Sequence, residues 1–351
     1  MSDAGKILVI KPSSLGDVVH VFPALEILRR HFSGHTLDFV INPAFAGILD
    51  LSPFPVSKKI FFNRKKLGSF TAFLPELLAL VKEIRSSKYD LVVDFQGLFR
   101  SGFLSWCARS AFRAGFARPR ERSAALFYSR KFSVDPRRHA VERYAALAAM
   151  ICGCTPAVPE LEIPLVEPGP EISAALPEHF IVLVPGARWE TKVFPPSFFA
   201  SVLREVQKEF PQIRGVVAGA ASDAPLAAAI VKELPGTVDL TGKTSLLQLA
   251  GVMQRAMAVL TNDSGPMHVA ALVGTQVFAL FGPTRPERTG PYGRKHRICR
   301  CEGLPCLGCM KRKCVFPDIR CHDIDPVKTG GEIVSYIISA AGEGSCRPAE
   351  L

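Results

Sequence analysis

Apolar residues alternate along the chain between two patterns. Ile7–Ile10 is a short unbroken apolar run, and it, Thr36–Ile41, Val56–Phe62 and Asp90–Phe95 read as strands. Between them, stretches with apolar residues three and four apart read as helices: Val18–Phe32, Ala72–Ile84, one resuming near Ser101, and His139–Ile151. The alternation restarts in the second half. Phe180–Val184, Gly215–Ala218, Thr237–Leu240, Ala258–Thr261 and Gln276–Leu280 read as strands, with helices Pro196–Glu209, Ala224–Glu233, Leu246–Arg255 and Gly265–Leu272 among them. This order predicts two α/β halves, each a mostly parallel sheet with helices on both faces. Two Rossmann-like domains facing across a cleft follow, 1–160 and 161–351, with the last helix expected to pack back on the first domain. Pro156, Pro159, Pro164, Pro168, Pro170 and Pro177 are too dense for regular helix or central strand, so the linker is expected at about 155–178.

Length and charge sharpen this picture. At 351 residues with 48% hydrophobic residues, two buried cores are expected. No apolar run reaches the ~18–20 residues of a membrane span. Ile7–Ile10 is too short for a signal-peptide core, so a cytosolic protein is expected. The net charge of +11 is uneven: residues 1–150 carry 23 Lys and Arg against 12 Asp and Glu, and the remainder carry 20 of each. An acidic partner for the first half is predicted: nucleic acid, anionic lipid or an acidic substrate. Arg118, Arg120, Arg122, Arg130, Lys131, Arg137 and Arg138 surround apolar Ala124–Tyr128 in a stretch read as a loop, a solvated face or a basic lip over a ligand.

Three loops carry candidate chemistry. Lys11-Pro12-Ser13-Ser14-Leu15-Gly16-Asp17 joins the first strand to the first helix. Ser13, Ser14 and Gly16 make it small and approachable, and Asp17 falls at the carboxyl end of the strand, where open α/β sheets bind ligands. That carboxylate also reads as an N-cap, worth about 1 kcal/mol. Val184-Pro185-Gly186-Ala187-Arg188 leaves a strand, with Lys192, a point charge suited to phosphate, following. Asp263-Ser264-Gly265-Pro266-Met267-His268 opens a helix whose first N–H groups make an anion site, although an Asp/Ser cap and a core histidine account for the same residues. Two phosphate-suited loops point to a diphosphate. Neither G-x-G-x-x-G nor G-x-x-x-x-G-K-[ST] occurs, which disfavours a nicotinamide dehydrogenase or P-loop NTPase.

Taken in order, Lys11–Asp17, Asp94-Phe95-Gln96-Gly97, Pro185-Gly186-Ala187, Lys192, Asp263–His268 and Phe281-Gly282-Pro283-Thr284 resemble glycosyltransferase family 9, the ADP-heptose:lipopolysaccharide heptosyltransferases. Ser123–Lys131 and His139-Ala140-Val141-Glu142-Arg143 look most like its heptosyltransferase I branch, which adds the first heptose to Kdo. The resemblance implies a GT-B fold and inverting, metal-independent transfer. Acceptor would lie on the N-terminal domain, nucleotide sugar on the C-terminal one. It implies Asp17 as general base and Lys192 on the diphosphate side of the donor. Gly186, Ala187, Arg188, Asp223, Thr244, Asp263, Ser264, Gly265 and His268 are implied donor positions, with Thr244 near adenine and Asp263 facing the heptose. Lys11, Ser13, Ser14, Gly16, Arg64, Gln96, Arg118, Arg120 and Arg122 are implied acceptor positions. Arg188 stands where this branch has a hydroxyl residue, and Phe194 where many relatives have Trp.

The implied partners are ADP-heptose and a Kdo-bearing lipid A, at the cytoplasmic face of an anionic inner membrane to which the basic half would bind peripherally, without insertion. Other acceptors, including that of heptosyltransferase II, are the alternative, followed by a nucleotide-sugar epimerase or a nucleic-acid-binding protein. No nucleic-acid motif is present, so no nucleic-acid partner is expected. Six of the ten cysteines fall between Cys299 and Cys321, and Cys306–Cys309 has the C-x₂-C spacing of zinc sites. No cofactor is expected for the reaction. A structural zinc at this cluster is the alternative to free thiols packing a loop.

Overall fold

A computed structural model describes residues 5–64, 66–68 and 71–342. The chain divides into two compact units, Met1–Pro164 and Leu165–Leu351, so the division falls inside the proline-dense stretch.

The first unit holds β1 (Lys6–Ile10), β2 (Thr36–Ile41), β3 (Val56–Phe61), β4 (Leu91–Asp94), β5 (Arg113–Phe116) and β6 (Arg130–Phe132) in one sheet of order β3-β2-β1-β4-β5-β6. Each neighbouring pair is parallel. Ile7, Leu8, Val9 and Ile10 are fully buried, which is why β1 reads as an unbroken apolar run. The second unit repeats the plan with β7 (Phe180–Val184), β8 (Arg214–Val217), β9 (Val238–Asp239), β10 (Ala258–Asn262), β11 (Val277–Leu280) and β12 (Arg297–Cys299), all parallel, in the order β12-β11-β10-β7-β8-β9. In each sheet the strand order reverses beside the unit's first strand, between β1 and β4 and between β7 and β10. The loops after those four strands therefore flank a switch point, where open α/β sheets take their ligands.

Several expectations are corrected. The stretch Val18–Phe32 is two helices, Leu15–Val19 and Phe22–His31. Pro23 has no N–H to continue the first helix and sits instead in the first turn of the second. The basic stretch after Arg118 is more than a loop: it contains a 3₁₀ turn, Arg122–Phe127, and the edge strand β6. Buried Ala124 and Tyr128 anchor it, and the Tyr128 ring fills the space where a Cβ on Gly115 would fall. Within the linker, Pro170 opens a short helix, Pro170–Ala175, because proline is tolerated at a first helical position. The last helix, Pro326–Gly342, packs on Pro196–Glu209 of its own unit, and its Ile333 and Ile337 join the core containing Val202, Leu203 and Val206.

Candidate active site

In the first unit the sheet's carboxyl edge gathers the residues expected to face the acceptor. Lys11 follows β1 and is almost fully buried. Its ammonium donates to the Tyr144 hydroxyl (3.0 Å) and lies 3.6 Å from Asp17 Oδ1. Tyr144, on the helix Ala140–Cys152, donates in turn to Asp17 Oδ1 (3.3 Å). The other carboxylate oxygen accepts from the Ser14 N–H (3.1 Å) and hydroxyl (2.8 Å). The N-cap of the helix is therefore Ser14. Asp17, expected to be the cap itself, sits at the third helical position and reaches back to Ser14 to close a capping box. Its other oxygen faces a buried cation, and 36% of its side chain is exposed. Burial pushes the Asp17 carboxyl up. Lys11, His20 and the Ser14 donors outweigh that and hold it well below the usual carboxylate range. Burial likewise works against the Lys11 charge, but Asp17 and Tyr144 raise it above its ordinary value.

Gln96 follows β4, and its Oε1 accepts from the Ser13 N–H (3.4 Å). Fully buried Asp94 shapes this turn by accepting from the N–H groups of Gln96 and Gly97 and from the hydroxyls of Ser101 and Tyr128, at 2.6 to 3.1 Å. Gly97 turns at φ +66°, where a Cβ would meet Pro119 at 3.2 Å. The Glu121 N–H donates to the Gly97 carbonyl (2.9 Å). Arg118, Arg120 and Arg122 thus lie beside the Gln96 turn, all exposed. Arg64, also exposed, follows β3 at the same edge. Gly16 is buried in the turn, and Ser13 is half-buried.

The second unit brings Lys192 and Asp263 together, with Nζ 2.6 Å from Oδ2 and the two side chains 16% and 6% exposed. Thr284 donates to the same oxygen (2.5 Å), and Asn262 ties this loop to the one after β7 through the Pro185 carbonyl (2.6 Å). Ser264 caps the helix Gly265–Leu272, and among the described residues its buried hydroxyl has no hydrogen-bond partner. His268 is buried within that helix. An unpartnered hydroxyl beside the free N–H groups of a helix start, with a lysine on the adjacent loop, is an arrangement for a phosphate.

Gly186 permits a close approach as expected, and the group that approaches it is Asp223: a Cβ on Gly186 would lie 2.2 Å from that carboxylate. Asp223 is held by the Ala220 N–H (2.9 Å). The turn before Thr244 packs on the same loop, since the Gly242 N–H donates to the Gly219 carbonyl and a Cβ there would meet Ala221. Ala187 is half-buried, and Arg188 is exposed.

The cysteine-rich segment braces this site. The Lys311 carbonyl accepts from Thr191 (2.8 Å), His322 Nε2 lies 2.9 Å from the Thr191 carbonyl, and the Met310 N–H donates to Pro283 (2.7 Å). Cys306, Cys309, Cys314 and Cys321 line one cavity of about 60 Å³. Burial and the neighbouring thiols push Cys321 up to about 11. Among the described residues no three His, Cys, Asp or Glu side chains are grouped to hold a metal ion. No local sequence pattern marks Tyr144, Thr191 or His322 or assigns Thr284 a role. A tyrosine on an apolar helix face looks like core, and only a contact 127 residues away along the chain gives it a second task.

Residues 77–320 match the sequence model of glycosyltransferase family 9 (heptosyltransferase). The chain is similar to the lipopolysaccharide heptosyltransferase 1 of Pseudomonas aeruginosa, with 30% identity over 330 residues, 89% of this chain and 88% of the relative. The enzyme of that name from Escherichia coli K12 is 27% identical over 313 residues, covering 84% and 93%. The fold is similar to that of E. coli heptosyltransferase WaaC with ADP, at a TM-score of 0.72 and 25% identity over 84% of this chain and 92% of that one. E. coli ADP-heptose lps heptosyltransferase II shares the fold at a TM-score of 0.77, with 23% identity over 96% and 99%.

Proposed function

The chain belongs to glycosyltransferase family 9, and from that membership we propose that it moves L-glycero-D-manno-heptose from ADP-heptose to a Kdo residue of the lipopolysaccharide inner core, with inversion. The observation that carries this reading is Asp17, a partly exposed carboxylate held ionised at the switch point of the first sheet. A sugar hydroxyl is a poor nucleophile, and Asp17 takes its proton as the new bond forms. Because Lys11 holds that carboxyl so low, Asp17 is ionised at any working pH. It becomes a competent acceptor late, once the attacking oxygen has given electron density to the anomeric carbon and its proton has become acidic.

Attack on the face opposite the diphosphate displaces ADP in one step. Lys192 and the start of the helix Gly265–Leu272, with the Ser264 hydroxyl, meet the charge growing on the leaving phosphate. Asp263, which neutralises Lys192 meanwhile, would turn to the heptose hydroxyls once the diphosphate takes the lysine. Asp223 and Thr244 serve the nucleoside side, while Arg64, Gln96, Arg118, Arg120 and Arg122 serve the anionic acceptor. Among the described residues no helix is long and apolar enough to cross a membrane. The protein would act at the cytoplasmic face of the inner membrane, bound peripherally through its basic half.

Incubation with ADP-heptose and Kdo₂-lipid A tests the reading: ADP should appear together with a lipid heavier by one heptose. A product formed only on an acceptor that already bears heptose would move the protein to a later step. ADP-heptose consumed without a heavier lipid would refute transfer.

A further inference from the structure

The first unit exposes an apolar face that its own fold does not cover. Of the eight large hydrophobic side chains described there as exposed, six belong to two adjacent helices and one turn: Phe73 (45%), Leu74 (60%) and Leu78 (60%) on Phe73–Arg85, Phe99 (49%) and Trp106 (58%) on Phe99–Cys107, and Leu126 (80%) in Arg122–Phe127. Leu74 and Leu78 are one turn apart. Phe99, Phe103 and Trp106 follow at four and three residues, so each helix presents a stripe. The elements are joined: the two helices touch, and Leu77 and Phe103 reach into the same core. Ring contacts run from Phe99 to Phe127 (5.4 Å), from Phe127 to Phe103 (6.1 Å) and from Phe103 to Trp106 (6.0 Å). Contiguous exposed apolar surface of this kind marks a binding face.

The charges around it identify the occupant. Residues 61–131 carry 14 Lys and Arg against 5 Asp and Glu, a difference of +9 out of the chain's +11. Those five acids are engaged within the unit. Asp94 is buried, Glu121 caps the Phe99 N–H, Glu76 and Glu83 pair with Lys66 and Lys58, and Asp90 accepts from the Lys6 N–H. Arg100, Arg109, Arg118, Arg120 and Arg122 are exposed and make no ion pair among the described residues.

We propose that this face docks the protein on an anionic lipid bilayer, with Trp106, Leu126 and their neighbours entering the headgroup layer and the surrounding arginines meeting lipid phosphates. Tryptophan at the polar boundary, leucine deeper and a cationic rim are what such an interface favours. The stripe begins at Phe99, two residues after Gly97 of the Gln96 turn. A sugar carried on a membrane lipid would therefore be presented at the sheet edge that holds Asp17. This last point rests on the acceptor reading above. The face itself does not.

The test uses the full chain and vesicles that contain no acceptor, of phosphatidylcholine with or without phosphatidylglycerol. The parent protein should sediment with the anionic vesicles, retain part of that binding in high salt, and show Trp fluorescence quenched by brominated acyl chains, with the quenching lost in Trp106→Phe. Trp106→Ser combined with Leu126→Ser should weaken binding at least tenfold while turnover of a de-acylated, soluble Kdo acceptor stays within twofold. Leu74→Ser with Leu78→Ser gives a second reading on a different helix if the first pair lowers the melting temperature. Unchanged vesicle binding in both pairs, or unquenched Trp106, overturns the proposal. A parent that is dimeric by light scattering and becomes monomeric in these variants also overturns it, because the face would then join two copies. Failure to turn over the soluble acceptor would instead count against the transferase reading and leave the vesicle result standing.

Discussion

The two oxygens of the Asp17 carboxylate have separate partners. Its position before an apolar-periodic stretch already suggested both a cap and a base. Asp17→Asn keeps the Ser14 contacts through its carbonyl oxygen. It should slow transfer by roughly 10²–10⁴-fold while ADP affinity, measured calorimetrically, is unchanged. Because the folded-state carboxyl is held far down, Asp17 should contribute no acid limb to the rate at pH 5 and above. Lys11→Met removes the main cause of that depression and should bring an acid limb back toward the ordinary carboxylate range in a pH–rate profile.

Lys192 is a different case, since its removal also strands Asp263, which is only 6% exposed. Lys192→Met should weaken ADP binding by about 1.5–3 kcal/mol and lower the melting temperature. Adding Asp263→Asn should recover the melting temperature but not the binding.

His296 supplies a residue-scale test of stability. Its Nδ1 accepts from the Val277 N–H (3.3 Å), and burial, with Lys295 nearby, pulls it down to about 4. A depressed histidine binds its proton more weakly folded than unfolded. Its contribution is therefore present above about pH 6.5 and is lost as pH falls from there toward 4. His296→Gln keeps an acceptor without the titration, so the fall in urea midpoint between pH 7 and 5 should shrink.

At the scale of elements, the second half was the more legible. The helices Pro196–Glu209, Ala224–Glu233, Leu246–Arg255 and Gly265–Leu272 lie where apolar spacing and opening Pro or Ser residues put them. Missed strands β5, β6 and β12 are short, and β6 and β12 lie at sheet edges, where one side needs no partner and apolar pattern is weak. The loop after β7 was legible as glycine-dependent, but its neighbour was not, because Asp223 arrives from a separate loop. Gly186→Ala should lower both the melting temperature and ADP affinity, its new Cβ meeting the Asp223 carboxylate. Asp223→Ala in the same chain should restore part of the melting temperature, giving a coupling above about 0.5 kcal/mol in a double-mutant cycle. Strictly additive effects would show that the contact constrains nothing.

At the scale of the molecule, composition located the basic half and periodicity the two α/β units, because both depend on sums over many residues. The two parallel sheets and the likeness to heptosyltransferase structures bear out that architecture. What stayed illegible depends on a few long-range approaches: Tyr144 reaching Asp17, Thr284 reaching Asp263, and the cysteine-rich segment holding the turn of Lys192. No local pattern encodes such meetings.

In the proposed reaction Asp17 accepts the proton of a Kdo hydroxyl as ADP leaves. This step is tested most directly by single-turnover transfer from ADP-heptose to Kdo₂-lipid A with the parent and Asp17→Asn. The parent should release ADP and form the mono-heptosyl lipid in equal amounts, and the variant should bind ADP-heptose as tightly yet form product roughly 10²–10⁴-fold more slowly. A variant that forms product at the parent's rate would contradict this and leave Asp17 with only its capping-box bond to Ser14.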